Sequence, residues 1–150
     1  MKLVVQRVNR AAVYIGGECI ARIRSGAVVL VGAARNDTRE DARYLAKKTS
    51  QIRIFDDEDG RLNLPMDPEG AFLVVSQFTL YGDCGKGNRP SFIEAAEAAE
   101  GRVLYDEYVQ TLQSLGHDVR TGRFQEHMRV ELENDGPVTI ILESRGRTAG

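Results

Sequence analysis

Ser76, Gln77 and Thr79 interrupt a run of large apolar residues, Phe72-Leu73-Val74-Val75-Ser76-Gln77-Phe78-Thr79-Leu80-Tyr81-Gly82. A hydroxyl or amide removed from water without a partner costs about 1–3 kcal/mol. Polar groups placed here are therefore either satisfied structural residues at a strand end or the lining of a site, and the residues alone leave both readings open. If the strand runs on to Tyr81, alternation puts Gln77 and Thr79 on one face and Ser76 with Phe78 on the other. Thr79 is a nucleophile only if a neighbouring base takes its proton, and neither histidine nor lysine stands in the motif.

Two further segments carry possible chemistry. Gly82-Asp83-Cys84-Gly85-Lys86-Gly87-Asn88-Arg89-Pro90 follows the strand and brings two cations on a glycine-rich loop. Such loops can offer backbone N–H groups to phosphate, but the P-loop spacing is absent, and a plain turn is the competing reading. Asn134-Asp135-Gly136-Pro137-Val138-Thr139 places Asp-Gly between two apolar runs, which reads as a hairpin. A cis Gly136-Pro137 bond is the sharper possibility there, because cis X–Pro bonds gather in tight turns.

Other chemistries find little support. The two histidines, His117 and His127, form no metal-ligand spacing, and Cys19 and Cys84 are isolated. No zinc site, metal or cofactor is expected, and the thiols are read as free in a reducing cytosol. Both histidines read as exposed loop residues. Asp56-Asp57-Glu58-Asp59-Gly60 lacks calcium-loop spacing and reads as a charged turn. No serine-hydrolase elbow is present.

The elements that must position these residues follow from pattern. Leu3–Val8, Ala12–Ile15, Glu18–Ile23 and Ala27–Val31 read as strands, with Gly16-Gly17 as a hairpin turn. Thr38 caps a helix with Asp41 three residues on, and Ala42, Leu45, Ala46 and Thr49 form its inner stripe. Residues 51–55 read as a short strand. Ser91 to Glu94 is a capping box predicting a helical turn. A longer helix buries Leu104, Tyr105, Tyr108, Leu112 and Leu115 and stops at Gly116. Val119–Arg123, Met128–Leu132 and Val138–Leu142 are the closing strands, and residues 145–150 a polar, frayed tail. Strands and helices in this order predict an α+β domain.

Length and charge set the outer bounds. The 150 residues suit one domain with its own core. No apolar run is long enough to cross a bilayer, and the early Lys2 and Arg7 do not suit a secretory signal. A net charge of −2 gives no global field for duplex DNA. A short single-stranded end needs only local contacts, and Lys86, Arg89 and Arg123 are candidates for them.

Six segments in register resemble one family. Gln6-Arg7-Val8, Arg53-Ile54-Phe55, Ser76-Gln77-Phe78-Thr79-Leu80-Tyr81, Arg89-Pro90-Ser91-Phe92, Thr121-Gly122-Arg123-Phe124 and Asn134-Asp135-Gly136-Pro137-Val138-Thr139 are similar to the D-aminoacyl-tRNA (D-tyrosyl-tRNA) deacylases. The resemblance covers residues 1–144 as one domain and leaves 145–150 as a tail. It implies a single α+β domain of mixed and antiparallel sheet, with a barrel-like core and two main helices. It also implies a cytoplasmic homodimer that proofreads translation by hydrolysing the ester joining a D-amino acid to the 3′ end of tRNA. Ser76, Gln77, Phe78 and Thr79 would form the catalytic motif. Gly136-Pro137 would be cis and enter the partner's pocket, Arg7 would help hold it, and Phe124 and Met128 would line the pocket. An aminoacyl ester is already activated, so a placed water and donors for the oxyanion suffice. Gln77 and Thr79 then read as positioning groups, with N–H groups near Phe78 and Thr79 as oxyanion donors. A filter that rejects L-residues by steric clash offers nothing against glycine, so glycyl-tRNA mischarged on a non-cognate tRNA such as tRNA-Ala is an expected second substrate. The alternative is a non-catalytic homodimer that binds an RNA end or nucleotide.

Overall fold

Strand β3 (Gly26–Gly32) is the spine of the molecule, and its composition explains why. Ala27, Val28, Val29 and Val31 are all essentially buried, the signature of a strand covered on both faces. The computed structural model, which describes residues 1–145, places it between β1 (Lys2–Ile15) and β6 (Ala71–Ser76). The sheet runs β2-β1-β3-β6-β7, with β2 at Glu18–Ile23 and β7 at Asp118–Thr121. Strand β8 (Arg129–Glu143) pairs along β1 and curls the sheet toward a barrel. Pairs made by β1 are antiparallel, whereas β3–β6 and β6–β7 are parallel. The architecture is the expected α+β domain with a barrel-like mixed sheet and two main helices.

Alternation sorts the core into two layers. Ala27, Val29 and Val31 of β3 with Phe72 and Val74 of β6 face the helices, while Val28, Leu73 and Val75 face a second cluster around Val8, Val13 and Ile23. Helix α1 (Arg39–Gln51) begins at the expected capping box, with Thr38 and Asp41 each bonding the other's backbone. It buries Ala42, Leu45, Ala46 and Thr49. Helix α2 (Ala98–Ser114) packs beside it through Leu104, Tyr105, Tyr108 and Leu112, and the Tyr108 hydroxyl donates to Thr49 Oγ1 at 3.0 Å. No helix among the described residues is long and apolar enough to cross a membrane.

Several boundaries depart from the sequence reading. The first two expected strands are one, β1, which pairs β3 with its first half and β2 with its second while keeping β8 throughout. Gln51 closes α1 instead of opening a strand, and β4 (Phe55–Asp56) pairs β5 (Leu62–Leu64) across the acidic turn. There the Asp57 carboxylate accepts the N–H groups of Asp59 and Arg61, both at 3.0 Å. After Ser91 the chain makes a single bonded turn, Ala95 N–H to Phe92 O at 3.0 Å, which does not extend into a helix, and the Ser91 backbone pairs with Asp83. Leu115 lies at the α2 C-cap, 43% exposed, outside the buried stripe. His117 is half-buried, its ring edge-on to Phe72 at 5.1 Å, and burial lowers its pKa. His127 is exposed as expected. Of the expected tail, residues 146–150 lie outside the described residues. Arg145 is anchored: it donates to Arg35 O at 2.5 Å and lies 3.5 Å from the Asp37 carboxylate.

Candidate active site

The parallel strands β3, β6 and β7 end on the same side, and the chain departs from each of them there. Ligands of α/β sheets collect at such carboxyl ends. The N–H of Gln77 reaches back to Val31 O at 2.7 Å, and that of Gly122 to Val74 O at 3.0 Å. These bonds tie the exits of β6 and β7 to their neighbours. Gly32 permits the close turn, since a Cβ there would lie 3.0 Å from Gln77 O and 3.1 Å from Leu80 Cβ.

After Ser76 the backbone stops being a strand. Phe78–Tyr81 is one turn of 3₁₀ helix, so the inference that Gln77 and Thr79 share a strand face is corrected. They meet for a different reason: the turn folds them together, and the Gln77 side-chain amide donates to Thr79 Oγ1. The first N–H bonded inside the turn is that of Leu80, to Gln77 O at 3.3 Å. Those of Phe78 and Thr79 precede the ladder and remain available as donors.

A cavity of about 630 Å³ opens at this edge. Ser76, Gln77 and Phe78 line it, together with Phe124 and Met128. Thr79 stands beside Gln77 at the exposed end of the turn and is not part of the lining. The first turns of α2 contribute Ala98, Gly101 and Tyr105; of these the sequence reading named only Tyr105, and only as a packing residue. Tyr105 is held by a bond from its hydroxyl to Val74 O at 2.9 Å, and burial pushes its pKa up. Gln125, Glu126 and His127 complete the rim, and Gln125 turns the chain with φ +63°. The only sequence signal for this rim is its place between Phe124 and Met128. The size suits a small-molecule moiety. No group of His, Cys, Asp and Glu among the described residues is arranged to hold a metal ion.

Arg7, Gly136 and Pro137 come together elsewhere. In the β1–β8 register Gln6 pairs with Thr139 and Val8 with Asn134. Arg7 alone therefore faces Asp135, Gly136, Pro137 and Val138, and the surplus residues must bow out of the ladder. The expected hairpin is not formed, since β8 continues through the segment. The Gly136-Pro137 bond is cis, and Gly136 has φ +115°. Arg7, 5% exposed, holds the base of the bow. Its guanidinium lies 2.9 Å from the Asp135 carboxylate and donates to Asp135 O at 3.3 Å and Ile54 O at 2.9 Å. Asp56 lies 3.3 Å away. Gly136 and Pro137 are exposed and do not line the cavity of their own chain.

Comparison with known proteins finds relatives over nearly the whole chain. A family model described as D-Tyr-tRNA(Tyr) deacylase matches residues 4–143. The D-aminoacyl-tRNA deacylase of Thermotoga petrophila is 52% identical over 96% of this chain and 97% of its own length. That of Desulforamulus reducens is 53% identical over 97% and 98%. Among solved structures, the c-Myc DNA Unwinding Element Binding Protein superposes with a TM-score of 0.89 at 39% identity, covering 95% of this chain and 98% of its own. A "probable eukaryotic D-amino acid tRNA deacylase" shares the fold at a TM-score of 0.79 and 18% identity.

Proposed function

The chain belongs to the D-aminoacyl-tRNA deacylase family, a family of hydrolases, and we propose that its reaction takes place where the Ser76-Gln77-Phe78-Thr79 turn meets the cavity. The observation that carries this reading is the Gln77–Thr79 pair. The Thr79 oxygen accepts from an amide, and among the described residues no base is bonded to it to receive its proton, so the hydroxyl is not activated for attack. Reversing the amide would offer it only a neutral amide oxygen, too weak a base for the task. The turn instead supplies unbonded N–H groups of Phe78 and Thr79 for the oxyanion. Water adds to the ester carbonyl, the bond to the ribose oxygen breaks, and the amino acid leaves as its carboxylate while the ribose regains a proton. The adjacent 2′-OH of the terminal ribose serves as proton shuttle.

Phe124 and Met128 shape the pocket for the aminoacyl group. Gly136-Pro137, absent from its own chain's cavity, closes the pocket of a second copy and meets the side chain of an L-residue. Glycine has no side chain to meet, so glycyl-tRNA is cleaved as well, including on a non-cognate tRNA such as tRNA-Ala. The enzyme acts in the cytoplasm as a homodimer and needs no cofactor.

Incubation with D-tyrosyl-, L-tyrosyl- and glycyl-tRNA tests this directly. The expected result is release of D-tyrosine and glycine with L-tyrosine retained. Release without stereoselectivity sinks the reading, and glycyl-tRNA as resistant as the L-ester sinks the steric filter. Binding without release would establish a non-catalytic RNA-end module. Thr79→Ala should retain most turnover, whereas a terminal 2′-deoxyribose should abolish it; the opposite pattern would make Thr79 the nucleophile.

A further inference from the structure

Phe78 does two things at once. It lines the cavity, yet 58% of it is exposed, and its ring meets Phe92 edge-on at 5.1 Å. Phe92 is 37% exposed and Ile93 beside it 70%. Three large apolar side chains thus stand in solvent beside the mouth of the cavity, where burial explains none of them. The arrangement is held in place. Gly82 lets Phe92 lie against the turn, since a Cβ there would be 3.0 Å from Phe92 Cε1 and 3.1 Å from Thr79 O. The backbones of Asp83 and Ser91 exchange two bonds of 2.8 Å and close the neck of the intervening loop. That loop exposes Lys86 and Arg89, and no ion pair engages either among the described residues. In a chain of net charge −2, two free cations beside an exposed aromatic step are the local footprint of a single-stranded nucleic acid.

We infer that Phe92, with Ile93, Lys86 and Arg89, forms a lip that receives the unpaired nucleotides preceding the terminal adenosine of the substrate tRNA. One base stacks on Phe92 while the cations meet the phosphates on either side. The step continues directly into the cavity through Phe78, so the strand is threaded toward the ester. The inference rests on the deacylase reading and adds to it a binding site outside the pocket.

The test compares two esters, D-tyrosyl-tRNA and D-tyrosyl-adenosine, which lacks the nucleotides the lip would hold. Phe92→Leu keeps apolar bulk and removes the stacking face; Lys86→Ala/Arg89→Ala removes the charge. Each should raise KM for the tRNA about tenfold with kcat little changed. The short ester should lose less than twofold, a split that a merely structural role would not produce. Phe92→Tyr should restore the tRNA KM. The salt dependence of tRNA binding should flatten by about 0.7 in log–log slope for each cation removed. Equal losses on both esters, or none on the tRNA, overturn the lip while leaving the deacylase reading intact. So does dissociation of Phe92→Leu into monomers on sedimentation, which would make the step a subunit contact. If the wild-type protein releases D-tyrosine from neither ester, the deacylase reading fails and the lip falls with it.

Discussion

Arg7 shows how one side chain can govern a segment it does not belong to. The β1–β8 register forces residues 135–138 out of the ladder, and Arg7 is the residue that faces the gap. Its planar fork reaches the carboxylate and carbonyl of Asp135 together and spends another donor on Ile54 O. Lysine carries the charge but not the fork. Arg7→Lys should therefore fold but hold the bow loosely. If Gly136-Pro137 is the stereochemical filter, the ratio of D- to L-tyrosyl-tRNA cleavage should narrow about tenfold, or roughly 1.4 kcal/mol of discrimination. Arg7→Ala should also lower stability to urea by about 1–3 kcal/mol, because buried acceptors lose their donor. A variant with an unchanged D/L ratio would confine Arg7 to structure. At the same scale, the Thr79 oxygen accepts from the Gln77 amide.

Elements are joined by a smaller set of contacts, and the helix pair has a pH-dependent one. Glu107 of α2 accepts from Arg43 at 2.7 Å and from Arg39 at 2.5 Å, both on α1. The Arg43 bond first, then that of Arg39, holds its carboxyl below the usual range. A depressed carboxyl pKa stabilises the fold above the unfolded value, about 4.3, and that contribution disappears as pH falls through the folded value. Glu107→Gln should lower Tm at neutral pH, and the gap to wild type should close below about pH 4. A gap independent of pH would show that the carboxylate's charge is not involved. Much at this scale was legible. The Gly16-Gly17 turn, the Thr38 capping box, both helix stripes and the apolar strands β3 and β6 are local patterns, and local physics decides them. What escaped is decided by register. The Asp135-Gly136 pair looks like a hairpin until β1 is known to run opposite it, and Gln77 to Tyr81 looks like strand until the backbone is seen to turn there against Gly32, which leaves it room. Likewise Ser91 and Glu94 satisfy a capping box on paper, but pairing with Asp83 claims the backbone. The Ser76-Gln77-Phe78-Thr79 segment was readable as a cluster of residue types; its geometry, and the part of α2 in the cavity wall, required the fold.

At the scale of the whole molecule, the chain displays a cavity and a projecting segment that do not meet. Gly136 and Pro137 are exposed and lie outside their own cavity's lining, and the same strand exposes Leu132 and Ile141, the latter 63% accessible. A two-fold pair in which each bow enters the other's cavity satisfies both features at once, since an isologous contact uses the same two surfaces twice. That arrangement makes a prediction no single-chain site can share. Ala98→Trp occludes the cavity from an exposed position on the first turn of α2, leaving the bow intact. Gly136→Ala/Pro137→Ala spoils the bow and leaves the cavity open, because an alanine at φ +115° is strained. Each homodimer alone should lack stereoselective release of D-tyrosine. Co-expressed with different tags and purified through both, the mixed dimer joins one open cavity to one intact bow and should regain a single competent, D-selective site. If each chain completed its own site, the mixed dimer would hold no competent site at all. Absence of recovery in an intact mixed dimer would therefore return Gly136-Pro137 to a role within its own chain.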